Sequence, residues 1–126
     1  FNVYGPREPL RGIYAPVIGI FKRQRDAGEK LTIIGDGTQR RDFTYVKDIV
    51  NANLLAANSN IKHDIFNIGT GRNYSINQVA KLVGGQTTFI EHRPAEAKET
   101  LANITKANKL LDYKPRFILS EMINSY

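Results

Sequence analysis

The sequence predicts an α/β fold, a small mixed sheet with flanking helices, over residues 1–126 as a single domain. Two observations predict it. Short stretches with strand character alternate with longer stretches whose apolar residues recur at helical spacing. The composition is that of an ordinary globular chain, with 41% hydrophobic and 10% aromatic residues, which argues against disorder.

The elements follow in order. Phe1 to Tyr4 alternates apolar and polar residues and stops at Gly5-Pro6, as the end of a strand does. Pro16 suits the first turn of a helix that runs through Val17, Ile18, Ile20 and Phe21 and stops near Gly28. Leu31 to Ile34 is a short strand, closed by the turn Gly35-Asp36-Gly37. Asp42 to Val46 is extended. From Val46 the period changes, and Val46, Ile49, Val50, Leu54 and Ala57 fall on one helical face, with Asp48 near its positive end.

Ile65 to Ile68 reads as another strand, broken at Gly69-Thr70-Gly71. Ser75 and Gln78 have the spacing of a capping box, opening a helix with Ile76, Val79, Ala80 and Val83 inward and Gly84-Gly85 at its end. Thr88 to Glu91 is a third strand. Asn103 caps a helix through Ile104, Ala107, Leu110 and Leu111, Pro115 breaks it, and a last helical turn begins at Ser120.

Composition bounds the function. There is no cysteine, which excludes disulfides and thiolate metal sites and fits a reducing, cytoplasmic location. No apolar run approaches the roughly 18 residues of a membrane span. The opening Phe1-Asn2-Val3 carries no basic leader and no initiating Met, and reads as the interior of a longer chain. The net charge of +6 favours anionic partners. The densest basic groups, Lys22-Arg23-Gln24-Arg25 and Arg40-Arg41, are short, and most of this charge is expected on a solvated face. A nucleic-acid role therefore rests on charge alone.

Several chemistries lack their residues. No Gly-x-Gly-x-x-Gly occurs, and Gly69-Thr70-Gly71 mimics only half of it, with Tyr74 where the third glycine would stand. No tyrosine is followed four residues later by a lysine, so the phenol–ammonium pair of a proton-transfer helix is missing. His63 and His92 have no ligand-spaced companions, and no metal site is expected. What remains is arginine beside turns. Arg40-Arg41-Asp42-Phe43 follows the Gly-Asp-Gly turn, and a guanidinium grips phosphate oxygens through paired, charge-assisted hydrogen bonds.

Segments in a fixed order sharpen this. They are Phe1-Asn2-Val3-Tyr4-Gly5-Pro6-Arg7, Ile34 through Asp48 with its Gly-Asp-Gly and Arg-Asp-Phe, Phe66-Asn67-Ile68-Gly69-Thr70-Gly71, and Arg93-Pro94-Ala95-Glu96 through Pro115. The chain resembles, over essentially its whole length, the C-terminal half of the nucleotide-sugar epimerases and dehydratases, the extended short-chain dehydrogenase/reductase family that includes UDP-glucose 4-epimerase. The resemblance implies a Rossmann half holding NAD and a Tyr-x-x-x-Lys pair, absent from this chain, and a C-terminal half that grips the nucleoside diphosphate sugar, a UDP-sugar being expected.

On these positions the resemblance implies that Asn2 contacts the diphosphate or sugar and that Arg41 and Arg93 bind the phosphates. Thr32 and Ile34 flank the nucleobase, Tyr14 lies near the same ligand, and Glu96 bonds the ribose hydroxyls. Ala95 stands where the family has Gly, and Asn103 where it has Asp. The implied activity is that of a nucleotide-sugar epimerase, with a dehydratase or decarboxylase as the alternative. This chain supplies recognition without catalytic residues of its own, and no cofactor is expected on it alone. Readings from other classes are a stand-alone nucleoside-diphosphate-binding module and a nucleic-acid-binding module, the latter demanding steep salt dependence. Phe1 to Tyr4, without sheet neighbours, is expected to drive self-association.

Overall fold

The computed structural model describes residues 1–12 and 15–126. The strands are β1 (Asn2–Tyr4), β2 (Leu31–Ile34), β3 (Arg40–Arg41), β4 (Phe43–Tyr45), β5 (Tyr74–Ser75) and β6 (Thr87–Ile90). The helices are α1 (Val17–Asp26), α2 (Val46–Ala57), α3 (Ile76–Val83), α4 (Thr105–Leu111) and α5 (Leu119–Met122). The strands form pairs: β1 with β4 and β2 with β6, both parallel, and β3 with β5, antiparallel. The α/β class and its mixed strand directions are as expected, but the strands form three two-stranded pieces.

The main core lies where these pairs meet α1 and α3. Ile18 and Phe21 of α1, Leu31 and Ile33 of β2, Val79 of α3 and Ile123 are essentially inaccessible to solvent. A fully buried side chain of this size contributes roughly 1.5–3 kcal/mol, so the seam between α1, β2 and α3 is the apolar foundation of the structure. β2 alternates strictly: Leu31 and Ile33 face this core, while Thr32 and Ile34 face the other way and remain half-buried. A second cluster gathers Ala52, Ala107, Leu111 and Tyr113 between α2 and α4.

Local chemistry explains the boundaries. The α3 capping box forms as expected: the Ser75 side chain accepts from the Gln78 backbone N–H, and the Gln78 side chain accepts from the Ser75 N–H. α3 ends at Gly84, whose φ of +82° suits glycine. α4 begins one residue later than expected, at Thr105. Asn103 still serves its end, because its Oδ1 accepts from the Thr105 N–H at 3.1 Å.

Three expectations need correction. α2 buries Asp48 and Ala52, while Val50 and Leu54 are 52% and 58% exposed. The buried face is set by Asp48, whose carboxylate accepts from the N–H groups of Arg116 (3.0 Å) and Phe117 (3.3 Å) and ties the helix to the chain after Pro115. That polar tether turns the apolar stripe away. Ile65 to Ile68 is not a strand, because among the described residues no neighbouring strand pairs with it; Phe66 and Ile68 pack against the second cluster as irregular chain. The strand near the glycine turn is instead Tyr74–Ser75. Finally, Lys22 and Gln24 are each 6% exposed, not part of a solvated face. Lys22 lies 3.1 Å from the centre of the Tyr126 ring and donates to that residue's carbonyl, and burial draws its ammonium below the usual lysine range.

Among the described residues no helix is long and apolar enough to cross a membrane. Among the described residues β1 pairs with β4 alone; its Asn2 N–H donates to the Asp42 carbonyl, so the Val3 N–H and C=O point to the opposite side.

Candidate functional site

Asp42 sits at the junction of three loops and is wholly buried. Its carboxylate accepts from the Thr70 N–H (2.9 Å), the Thr70 hydroxyl (2.7 Å), the Gly71 N–H (3.0 Å) and the Ala102 N–H (3.2 Å). A buried carboxylate is tolerated only when such donors replace water. Gly69 must be glycine here, because a Cβ would lie 2.3 Å from the Ala102 Cβ and 2.9 Å from an Asp42 oxygen. The Gly69-Thr70-Gly71 turn is thus a cradle for Asp42. The Thr70 and Gly71 N–H groups are already engaged by Asp42 and do not fit the pyrophosphate of NAD, so no dinucleotide site is derived from them.

The same junction separates the two adjacent arginines. Arg40 turns inward, its Nε and Nη2 bonding the side chain and carbonyl of Asn73 at 2.7 and 2.8 Å. On its backbone, the Arg40 N–H donates to the Lys98 carbonyl and its carbonyl accepts from the Thr100 N–H, which docks the 93–100 loop. Strand alternation then sends Arg41 to the opposite face. Its Nη1 donates to the Arg40 carbonyl at 2.8 Å and its Nη2 to Glu96 Oε1 at 3.1 Å, with side chains 13% and 23% exposed.

Arg41 opens onto a cavity of about 400 Å³. Its lining includes Asn2, Thr32, Ile34, Arg41, Arg93 and Glu96, so these sequence-predicted site residues come together on one hollow. Tyr14 lies outside the described residues. The lining combines polar side chains, among them Arg41, Arg93, Glu96 and Asn2, with apolar ones from α1, β2 and β6, among them Ile20, Ile34 and Ile90. Glu96 pairs with Arg41, not with Arg93. Its second oxygen is buried without a partner among the described residues, and such an oxygen is costly unless something donates to it.

Gln39 was missed by the sequence reading, yet it lines this cavity and donates through Nε2 to the Ile34 carbonyl at 2.9 Å. Period-two alternation from Arg41 was the available signal. Beside the cavity, the Gly35-Asp36-Gly37 turn is held by Asp36, which accepts from both the N–H and the hydroxyl of Thr38; these bonds keep its carboxyl below the usual range.

Comparison with known proteins now decides the family. The NAD dependent epimerase/dehydratase family matches residues 1–69. The chain belongs to that family. UDP-glucuronate 4-epimerase of Thermodesulfobacterium geofontis is 35% identical over 96% of this chain and 38% of that protein. UDP-glucuronic acid decarboxylase 1 of Xenopus tropicalis is 34% identical over 98% of this chain and 30% of that protein. The crystal structure of a UDP-glucose 4-epimerase with UDP-glucose, from Thermotoga maritima, superposes with a TM-score of 0.90 at 37% identity, over 97% of this chain and 41% of that one. The chain therefore spans well under half the length of these relatives.

Ala95, where the family resemblance has glycine, sits at φ +60°. A side chain in this left-handed region costs on the order of 1 kcal/mol. Replacing Ala95→Gly is therefore expected to raise the unfolding free energy by about 0.5–1 kcal/mol in a urea titration; an unchanged or lower value would contradict a strained loop behind Glu96.

Proposed function

We propose that this chain forms the nucleotide-sugar-binding wall of an NAD-dependent nucleotide-sugar epimerase, with UDP-sugars as its ligands. The observation that carries the reading is the convergence of Arg41 and Arg93 on one cavity whose lining also carries apolar side chains and the Glu96 carboxylate. A diphosphate needs more than one cation, a nucleobase needs an apolar slot, and a ribose diol needs an acceptor. The lining of the cavity includes each of these groups.

In this reading the diphosphate lies across Arg41 and Arg93. Glu96 holds the Arg41 guanidinium in plane through Oε1, leaving the guanidinium's other N–H donors for phosphate oxygens. Its unpartnered second oxygen accepts from a ribose hydroxyl. Thr32 and Ile34 flank the base, and Asn2, on β1, reaches the sugar side. The epimerisation itself, hydride removal to NAD and return to the opposite face of a keto sugar, belongs to groups that this chain does not contain. A decarboxylase or dehydratase would use the same wall.

Calorimetric titration with UDP tests this. The chain is expected to bind, with affinity lowered on the order of ten-fold by Arg41→Ala or Arg93→Ala, since a charge-assisted hydrogen bond is worth about 1.5–3 kcal/mol. No heat at millimolar UDP, or indifference to both substitutions, would remove the reading.

We also propose that the outward edge of β1 pairs with a second copy, because Phe1 and Val3 are 48% and 38% exposed beside backbone groups that have no strand partner among the described residues. Light scattering should show a concentration-dependent dimer; a strict monomer at high concentration would contradict it.

A further inference from the structure

A second cavity, of about 200 Å³, is lined by two stretches of chain, residues 70–74 and 115–119, together with Phe43 of β4. Among the described residues, none lines both this cavity and the one that holds Arg41 and Arg93. Each stretch is anchored by a buried carboxylate. Asp42 accepts from the Thr70 and Gly71 N–H groups at 2.9 and 3.0 Å, which fixes the chain leading into Arg72. Asp48 accepts from the Arg116 and Phe117 N–H groups at 3.0 and 3.3 Å. The Phe117 ring stands 4.8 Å from the Tyr45 ring, centroid to centroid, and β5 pairs Tyr74 with Arg41. The lining is therefore preformed, and a ligand seated there has little chain to order.

The charge of this cavity has one sign. Arg72 and Arg116 line it, and no acidic side chain does. Among the described residues both arginines bond through their backbones alone, the Arg72 N–H donating to Thr70 Oγ1 at 3.2 Å and the Arg116 N–H to Asp48. Both guanidinium groups thus keep their donors for something else. A guanidinium fork matches the two oxygens of a carboxylate. The rest of the lining is largely apolar and includes three aromatic rings, Phe43, Tyr74 and Phe117. Pockets for drug-sized ligands begin at roughly 300 Å³, so this smaller one suits a single ring and not a nucleotide.

We propose that this cavity is a second ligand site, for a small aromatic carboxylate whose ring lies against Phe43, Tyr74 and Phe117 and whose charge is shared by Arg72 and Arg116. The ring gains by exchanging water for an aromatic lining. The carboxylate exchanges its hydration for charge-assisted donors. A small anion without a ring engages only the arginines.

Benzoate is the probe, titrated into the 126-residue chain and followed by backbone amide chemical shifts. Benzamide supplies the ring without the charge, and acetate the charge without the ring. Benzoate should bind with a Kd of about 1 mM or tighter and shift the amides of residues 70–74 and 116–119, while benzamide and acetate should each bind about ten-fold more weakly or worse. Arg72→Gln and Arg116→Gln should each weaken benzoate by about ten-fold. Neither side chain bonds to the described fold, so both variants should keep the signal dispersion of the wild type. Benzamide or acetate binding as tightly as benzoate overturns the proposal, as does indifference to both substitutions. Shifts centred on Arg41 and Arg93, or none at roughly 10 mM benzoate, overturn it too. Benzoate binding does not require UDP binding, so this proposal and the nucleotide reading can each fail alone.

Discussion

The buried carboxylate of Asp42 joins the strand that carries Arg41, the glycine turn at residues 69–71 and the chain at Ala102. Each bond to a buried charge is worth roughly 1.5–3 kcal/mol, and losing the carboxylate would strand several backbone donors at once. The cavity depends on this junction, because it fixes the register in which Arg40 is spent on Asn73 and Arg41 is turned outward. An arginine pair that looks symmetrical in sequence is divided into one structural and one cavity-facing member by the strand that carries it.

The same logic recurs at Asp48, which ties α2 to the segment after Pro115 through two backbone N–H groups. In both cases a carboxylate that has no cationic partner among the described residues organises irregular chain. Neither could be foreseen from spacing, because the backbone donors lie 28 to 69 residues away. This is also why the apolar face of α2 was misassigned: periodicity counts Val50 and Leu54 as inward, but a single buried acid outweighs them in setting the rotation of the helix. Short-range chemistry fared better. The Ser75–Gln78 box, the glycine ends of α1 and α3 and the alternation of β2 depend on neighbours in sequence, and all appear in the fold.

For the site, the residues carried by turn and strand motifs were recoverable, and six of them share the cavity. Gln39 was not. Gln24 sits in a basic run that reads as a solvated surface, and its bonds to Thr32 exist only because α1 crosses β2. Val17, Ile20 and Phe21 were legible only as apolar positions of a helix, not as part of a cavity wall. Sequence pattern names side chains with distinctive chemistry, whereas the shape that makes them a site comes from packing.

A crystal structure of the chain with UDP-glucose addresses the central claim most directly. The account predicts the diphosphate in the cavity within hydrogen-bond reach, about 2.7–3.2 Å, of both the Arg41 and Arg93 guanidinium groups, with Glu96 still against Arg41. A nucleotide bound elsewhere, or seated in the cavity with its phosphates turned from both arginines, would contradict it.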